Sequence, residues 1–188
     1  MIRRRTLDKA KVAAASRDII EAEGLQALTF GRVAKVLHVK SQSIYNYFHN
    51  LQDLLEYIGA DLMRELYDEL TTGLIGLSGK NALIKYGEIA RSFFLKQGKL
   101  LSTLYVIQNY SKDSEFVQAM QQVLDLIERI LSSVKTLSVS RTTFVQAFVS
   151  QVLGFTWVES MGFFDAYEVP HNTKSFQEML EIATSVLD

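Results

Sequence analysis

The chain has no cysteine, a single proline and three histidines in 188 residues. Without cysteine there is no disulfide, no thiolate zinc site and no cysteine nucleophile, a composition suited to a reducing cytosol. The histidines, His38, His49 and His171, share no ligand spacing, so no metal is expected. No run approaches the ~18 uncharged apolar residues needed to span a bilayer. The basic start, MIRRRTLDKAKVAAASRDII, lacks the apolar core of a secretory signal. A Gly-rich phosphate loop, a nucleophile elbow and an HExxH motif are also missing, and no cofactor is expected. Carboxylate pairs such as Asp125/Glu128 and Glu178/Glu181 fall on ordinary helix faces and read as solvent charge.

What is present is apolar content at 48% of residues and charge at 22%, enough for a packed core. The formal net charge of −1 conceals an asymmetry. Residues 1–48 carry nine Lys/Arg against four acids, and the remainder is net acidic. A basic head on an acidic body is the arrangement expected if only the head meets a polyanion. An ordinary solvated charged face would give the same count.

Apolar spacing is helical almost throughout and strand alternation is nearly absent, so the fold class is all-α with about nine helices. Val12, Ala15, Ile19 and Ala22 mark a first helix, with Gly24 where it stops. Thr29 is positioned to cap a short second helix, with Leu28 stapled onto Val33 and a stripe of Phe30, Val33, Ala34 and Leu37. Ser41 is read as the cap of a third helix that carries Ile44 and Phe48 inward. Asn50 then caps a fourth, running from Leu51 through Leu70. TTGLIGLSGK (71–80) reads as a loop, 81–97 and 99–110 as aromatic-rich helices, and 111–115 as a turn. Phe116, Met120, Val123, Ile127, Ile130 and Val134 mark a strongly amphipathic helix. Ser140 opens a helix to about Gly162, residues 165–172 form a loop, and Ser175-x-x-Glu178 is a capping box for the last helix. The expected domains are a head at 1–50 and a body at 51–188, with 51–72 as the connecting helix.

Two short helices joined by a turn of about four residues, the second opening at Ser41, form a helix-turn-helix. In such a unit the second helix enters the major groove and its first side chains meet base edges. Gln42 can pair bidentately with adenine, and the hydroxyls of Ser41 and Ser43 can donate or accept. Tyr45, Asn46 and Tyr47 follow on the same segment, within reach of phosphates or bases. Lys40, and Arg3, Arg4 and Arg5 ahead of the first helix, can neutralise phosphates or trail along a groove.

ALTFGRVAKVLHVKSQSIYNYFHNLQDLL (27–55), preceded by AAASRDIIEAEG, resembles the DNA-binding domain of the tetracycline-repressor (TetR) family. The likeness rests on Gly24, Leu28-Thr29, Val33-Ala34, Val39, Ser43-Ile44-Tyr45, Tyr47-Phe48 and Asp53-Leu54-Leu55. VLGFTWVESMGFF (152–164) more weakly resembles the penultimate helix of one branch of the family's ligand-binding bodies. The resemblance implies a DNA-binding face of Thr29, Arg32, Lys40, Ser41, Gln42, Ser43, Tyr45, Asn46, Tyr47 and His49, with Tyr47 on a phosphate. Three positions depart from the family pattern. His38 stands where glycine is common in the turn, Leu51 where a phosphate-contacting lysine is common, and Gly31 where a polar side chain is common, which leaves Arg32 as the phosphate contact.

The resemblance also implies a small apolar or aromatic effector held in the body. Phe93, Tyr105, Phe148 and Phe155 are candidate pocket walls, and Gln108, Asn109 and Gln151 are candidate buried polar groups that orient a ligand. A homodimer is implied as well, formed by the last two long helices through Phe144, Phe155, Met179, Leu180 and Ala183. Two recognition segments one DNA turn apart would then read a palindromic operator. The expected function is a cytosolic, ligand-responsive transcriptional regulator of repressor type, with no membrane partner. A TetR-like coactivator or antirepressor acting through protein contacts is the alternative. A helical enzyme using the body's cavity is a third reading, which no catalytic constellation recommends.

Overall fold

The computed structural model describes residues 7–108, 111–134, 139–166 and 172–187. Among these are nine α-helices and no strand. They are α1 Lys9–Glu23, α2 Phe30–Val36, α3 Ser41–Ile44, α4 Leu51–Gly73, α5 Gly79–Lys96, α6 Ser102–Val106, α7 Glu115–Ser132, α8 Arg141–Ser160 and α9 Asn172–Thr184. The chain divides into two compact units: Met1–Leu62 with Gln97–Gln118, and Met63–Lys96 with Ala119–Asp188. Helices α4 and α7 each contribute residues to both.

In the first unit, local chemistry sets the helix ends. Asp8 caps α1, its carboxylate accepting the Lys11 N–H at 2.8 Å. Thr29 caps α2 by accepting the Arg32 N–H at 3.1 Å. Asn50 precedes α4 and accepts the Asp53 N–H at 2.9 Å, while the Asp53 carboxylate accepts the His49 N–H at 3.0 Å. These two bonds satisfy orphan donors reciprocally, in the manner of a capping box. The core beneath is Val12, Ile19, Ile20, Leu28, Val33, Ile44, Phe48, Leu54 and Ile58, all buried. Part of it comes from far along the chain. At Gly59 on α4 an added methyl would overlap Ile107 and Phe116, so glycine there permits close approach. The Lys99 amine donates to the Ala22 carbonyl near the end of α1 at 3.0 Å.

Helix α2 ends in a Schellman motif: the Val39 N–H donates to Ala34 O at 3.0 Å and the His38 N–H to Lys35 O at 3.3 Å. The residue this motif places in the left-handed region is His38, at φ 56°, a conformation that favours glycine. A non-glycine residue there costs roughly 1–2 kcal/mol, against roughly 0.5–1 kcal/mol of extra chain entropy for glycine. His38→Gly is therefore expected to stabilise the chain by up to about 1 kcal/mol, read as a higher urea midpoint. A lower midpoint would show that the exposed imidazole contributes more than its backbone costs.

The second unit buries Leu66, Leu70, Leu83, Phe93, Ile127, Phe148, Phe176 and Leu180. At Gly87 of α5 the backbone lies against the Leu180 side chain of α9. The Tyr86 hydroxyl donates to Val123 O of α7 at 3.1 Å, and burial pushes its phenol well above the ordinary range. Arg91 of α5 and Glu159 of α8 form a bidentate ion pair, with Nε at 2.6 Å from Oε2 and the guanidinium over the Phe176 ring at 5.1 Å.

Four expectations about elements need correction. The 71–80 loop is shorter, because α4 runs to Gly73 and α5 begins at Gly79. The 99–110 helix is a 3₁₀ turn at Gly98–Leu101 followed by the five-residue α6, with Gly98 at φ 54° and Ile107 extended. Ser41 is the first residue of α3, not its cap; Lys40 holds the cap position, and its carbonyl accepts the Ser43 N–H at 2.8 Å. Helix α9 starts at Asn172, so Ser175 lies inside it and cannot cap it.

Candidate nucleic-acid interface

The segment from Ser41 to Asn50 is divided by face. Ile44 and Phe48, four apart, are buried at 0% and 2% exposure. Ser41, Gln42, Tyr45, Asn46 and His49 are all exposed. The α-helical part covers only Ser41–Ile44; the Tyr47 N–H then bonds Ile44 O at 2.9 Å, tightening the chain into a turn. So short a piece has too few internal hydrogen bonds to hold itself. Its orientation comes from the two buried side chains and from ring contacts. The Phe48 ring meets Tyr57 of α4 edge-on at 5.6 Å, and the Tyr45 ring meets Phe30 of α2 edge-on at 4.9 Å.

The other residues expected on this face are placed as follows. Thr29, Lys40 and His49 are exposed, and Ser43 is half-buried. The His49 imidazole lies 3.0 Å from the Asp53 carboxylate. Arg32 does not project alone: its guanidinium pairs with Glu23 through two contacts, Nε to Oε2 at 3.3 Å and Nη2 to Oε1. That hydrogen-bonded pair holds the Glu23 carboxyl below its usual range and raises Arg32. Tyr47 is half-buried and its hydroxyl donates to Leu7 O at 2.6 Å, a contact across 40 positions that no local pattern signals. The Lys9 ammonium, also unforeseen, sits 5.7 Å from the Phe48 ring centroid and 5.9 Å from that of Tyr57. Arg3, Arg4 and Arg5 lie outside the described residues.

The residues expected to line an effector pocket are spread over both units, with Tyr105 and Gln108 in the first and Phe93, Phe148, Gln151 and Phe155 in the second. Phe93 and Phe148 are core residues; Phe148 stacks on Phe144 at 5.7 Å and meets Tyr86 at 6.1 Å. Gln108 and Gln151 are exposed, not buried polar groups, because each falls on the outward side of its segment. Asn109 lies outside the described residues. The Thr103 hydroxyl of α6 is buried and has no hydrogen-bond partner, whereas Ser16, Thr156 and Thr184 each donate to a carbonyl of their own helix.

Among the residues expected at a dimer interface, Phe144 and Leu180 are spent inside the second unit at 4% and 0% exposure. Phe155 is half-buried against Phe164 and Phe176 at 4.9 and 5.2 Å, and Met179 and Ala183 are half-buried. On and near α8 and α9 the outward apolar residues are instead Leu153, Met161, Phe163 and Ile182, and elsewhere in this unit Ile75, Leu77 and Val139 are also exposed. Among the described residues no group of three or more His, Asp or Glu could hold a metal ion. None of the described helices is long and apolar enough to cross a membrane.

Residues 12–58 match the family model described as bacterial regulatory proteins, tetR family. Solved structures share the fold over nearly the whole chain. A protein of unknown function from Rhodococcus sp. RHA1 superposes with a TM-score of 0.80 at 14% identity, covering 100% of both chains. BioQ with its double-stranded DNA operator gives a TM-score of 0.68 at 19% identity, covering 96% of this chain and 99% of that one. A TetR variant from Acinetobacter baumannii AYE in complex with minocycline gives 0.69 at 18%, covering 96% of each. At such identities the likeness is one of fold. None of the curated proteins matches the chain. The match to that family model is confined to the helix-turn-helix head, residues 12–58, and the solved structures extend the likeness of fold to the rest of the chain.

Proposed function

We propose that the chain is a cytosolic transcriptional repressor that binds a palindromic operator as a homodimer and is released by a small effector. The observation that carries this reading is the exposed row of Ser41, Gln42, Tyr45, Asn46 and His49. It lies on a segment whose other side, Ile44 and Phe48, is locked in the core. Such a row has hydrogen-bonding heads for base edges and phosphates and little apolar area for a protein partner. Residues 1–50 are the DNA-binding domain in this reading, and α4 is the connection to an effector-binding and dimerising remainder.

BioQ was solved with its operator and the TetR variant with minocycline, which supports DNA and a small-molecule effector as partners. The orphaned Thr103 hydroxyl fits an effector site, since a buried polar group without a partner is costly until something bonds it. For the dimer, α8 offers an outward row of Ala147, Ser150 and Gly154, small residues that let a second helix approach closely, flanked by Leu153 and Met161. An effector that prefers one spacing of the two heads would shift the population away from the spacing that fits consecutive major grooves.

The experiment is selection of duplexes from a random pool, followed by Gln42→Ala on the selected sequence. A lost bidentate contact to a base is expected to cost about 1–3 kcal/mol and to relax preference at one position of each half-site. Unchanged affinity and unchanged base preference would remove Gln42 from the reading face.

A further inference from the structure

We infer that Lys9 and Tyr47 form a latch that positions the recognition segment, so that both act on sequence reading without touching DNA. This rests on the DNA-binding reading above. The segment ends at Tyr47 and Phe48, beyond the last residue of α3, where helical hydrogen bonding has already given way to a turn. Two contacts from the start of α1 close on those two residues. The Tyr47 hydroxyl donates to Leu7 O at 2.6 Å, immediately before the Asp8 cap. The Lys9 ammonium lies within 6 Å of both the Phe48 and Tyr57 rings, which are themselves in edge-on contact.

The surroundings suit a fixed cation. Lys9, Phe48 and Tyr57 line a cleft of about 180 Å³ together with the carboxylates of Asp53, Glu56 and Glu115. An ammonium within 6 Å of two ring centroids, in a cleft that three carboxylates also line, gains from the ring quadrupoles and from the negative field. Its neighbours are the two rings that set the end of the recognition segment against α4. The Tyr47 hydroxyl, expected from family likeness to sit on a phosphate, is spent on a backbone carbonyl. A donor so engaged holds geometry and is not left over for a ligand. Without the latch, Ile44 and Phe48 still anchor the segment, but its register on the groove loosens. Base contacts depend on that register, whereas the attraction of phosphates does not.

The test uses the full-length protein with Lys9→Met, Lys9→Arg and Tyr47→Phe, on the selected duplex and on a random duplex of equal length. Methionine keeps the apolar reach over the rings and removes only the charge. Lys9→Met and Tyr47→Phe are each expected to weaken binding to the selected duplex about three- to tenfold, a loss of the size of one such contact. Binding to the random duplex and the salt slope stay unchanged, and Lys9→Arg restores the wild-type value. An equal loss on both duplexes, with a shallower salt slope for Lys9→Met, would make Lys9 a phosphate contact and overturn the latch. Unchanged binding would overturn it too. A second measurement needs no DNA: hydrogen exchange at the Tyr47 and Phe48 amides should quicken in Lys9→Met and Tyr47→Phe. Wild-type protein that prefers no duplex would sink the DNA-binding reading, and the exchange rates would then decide the latch alone, unaltered rates counting against it.

Discussion

Replacing Arg91 with alanine is expected to destabilise the chain by about 3–5 kcal/mol, the range for leaving one charge of a buried pair uncompensated. The side chains of Arg91 and Glu159 are only 15% and 12% exposed, so either charge left alone would be largely shielded from water. Their pairing is bidentate, which fixes α5 against α8, and the guanidinium also covers the Phe176 ring of α9. Three helices of one unit therefore depend on a single planar group. Since whole domains are stable by only about 5–15 kcal/mol, this one truncation is expected to bring the unit near its unfolding threshold. Urea unfolding measures the loss. The double change Arg91→Met with Glu159→Leu is expected to recover much of it, because two apolar groups of similar size leave no orphaned charge. A loss below about 1 kcal/mol for Arg91→Ala, as for pairs at the surface, would contradict this account of the pair.

Phe48→Ala is expected to cost about 3–5 kcal/mol in the first unit, the usual range for removing a buried ring. Phe48 is 2% exposed and is both the inner anchor of the recognition segment and one wall of the Lys9 cleft. With four residues of helix in α3, nothing in the segment's own backbone replaces that anchor. Preference for the selected duplex is expected to be lost. Packing within the second unit, which holds none of these residues, is expected to persist. Hydrogen exchange separates the two: α1 and α3 amides should quicken while those of α5 and α8 do not. A variant that still reads the selected duplex at full affinity would show that Ile44 alone suffices.

The helices were legible because their apolar residues recur at three and four positions and their ends carry recognisable caps. Thr29, Asn50 and Ser140 each accept the N–H three residues on, as their position before an apolar run implies. Where the sequence offered a cap too late, it misled. Ser41 and Ser175 are good capping residues, but Ser41 falls one position after the cap of α3 and Ser175 three residues inside α9. The break at 98–107 was hidden because Leu100, Leu101, Tyr105 and Ile107 keep apolar content high while the backbone at Gly98 takes a positive φ.

On the candidate interface, the division of inward Ile44 and Phe48 from their polar neighbours followed from spacing alone. The fate of individual polar atoms did not. Whether a guanidinium meets Glu23, or a phenol meets Leu7, depends on residues 9 and 40 positions away, brought together only by packing. The same limit explains Gln108 and Gln151. Polar residues amid aromatics look buried in a linear string, but each lies on the outward side of its element.

The most direct test of the regulator reading is binding of the full-length protein to a selected palindromic duplex as salt rises from 50 to 200 mM, beside a random duplex of equal length. The predicted result is tight, specific binding at low salt whose affinity falls steeply, by a slope of about −0.9 for each phosphate neutralised. The selected duplex should stay ahead of the random one by roughly a thousandfold or more. Equal affinity for the two duplexes at every salt concentration would contradict it.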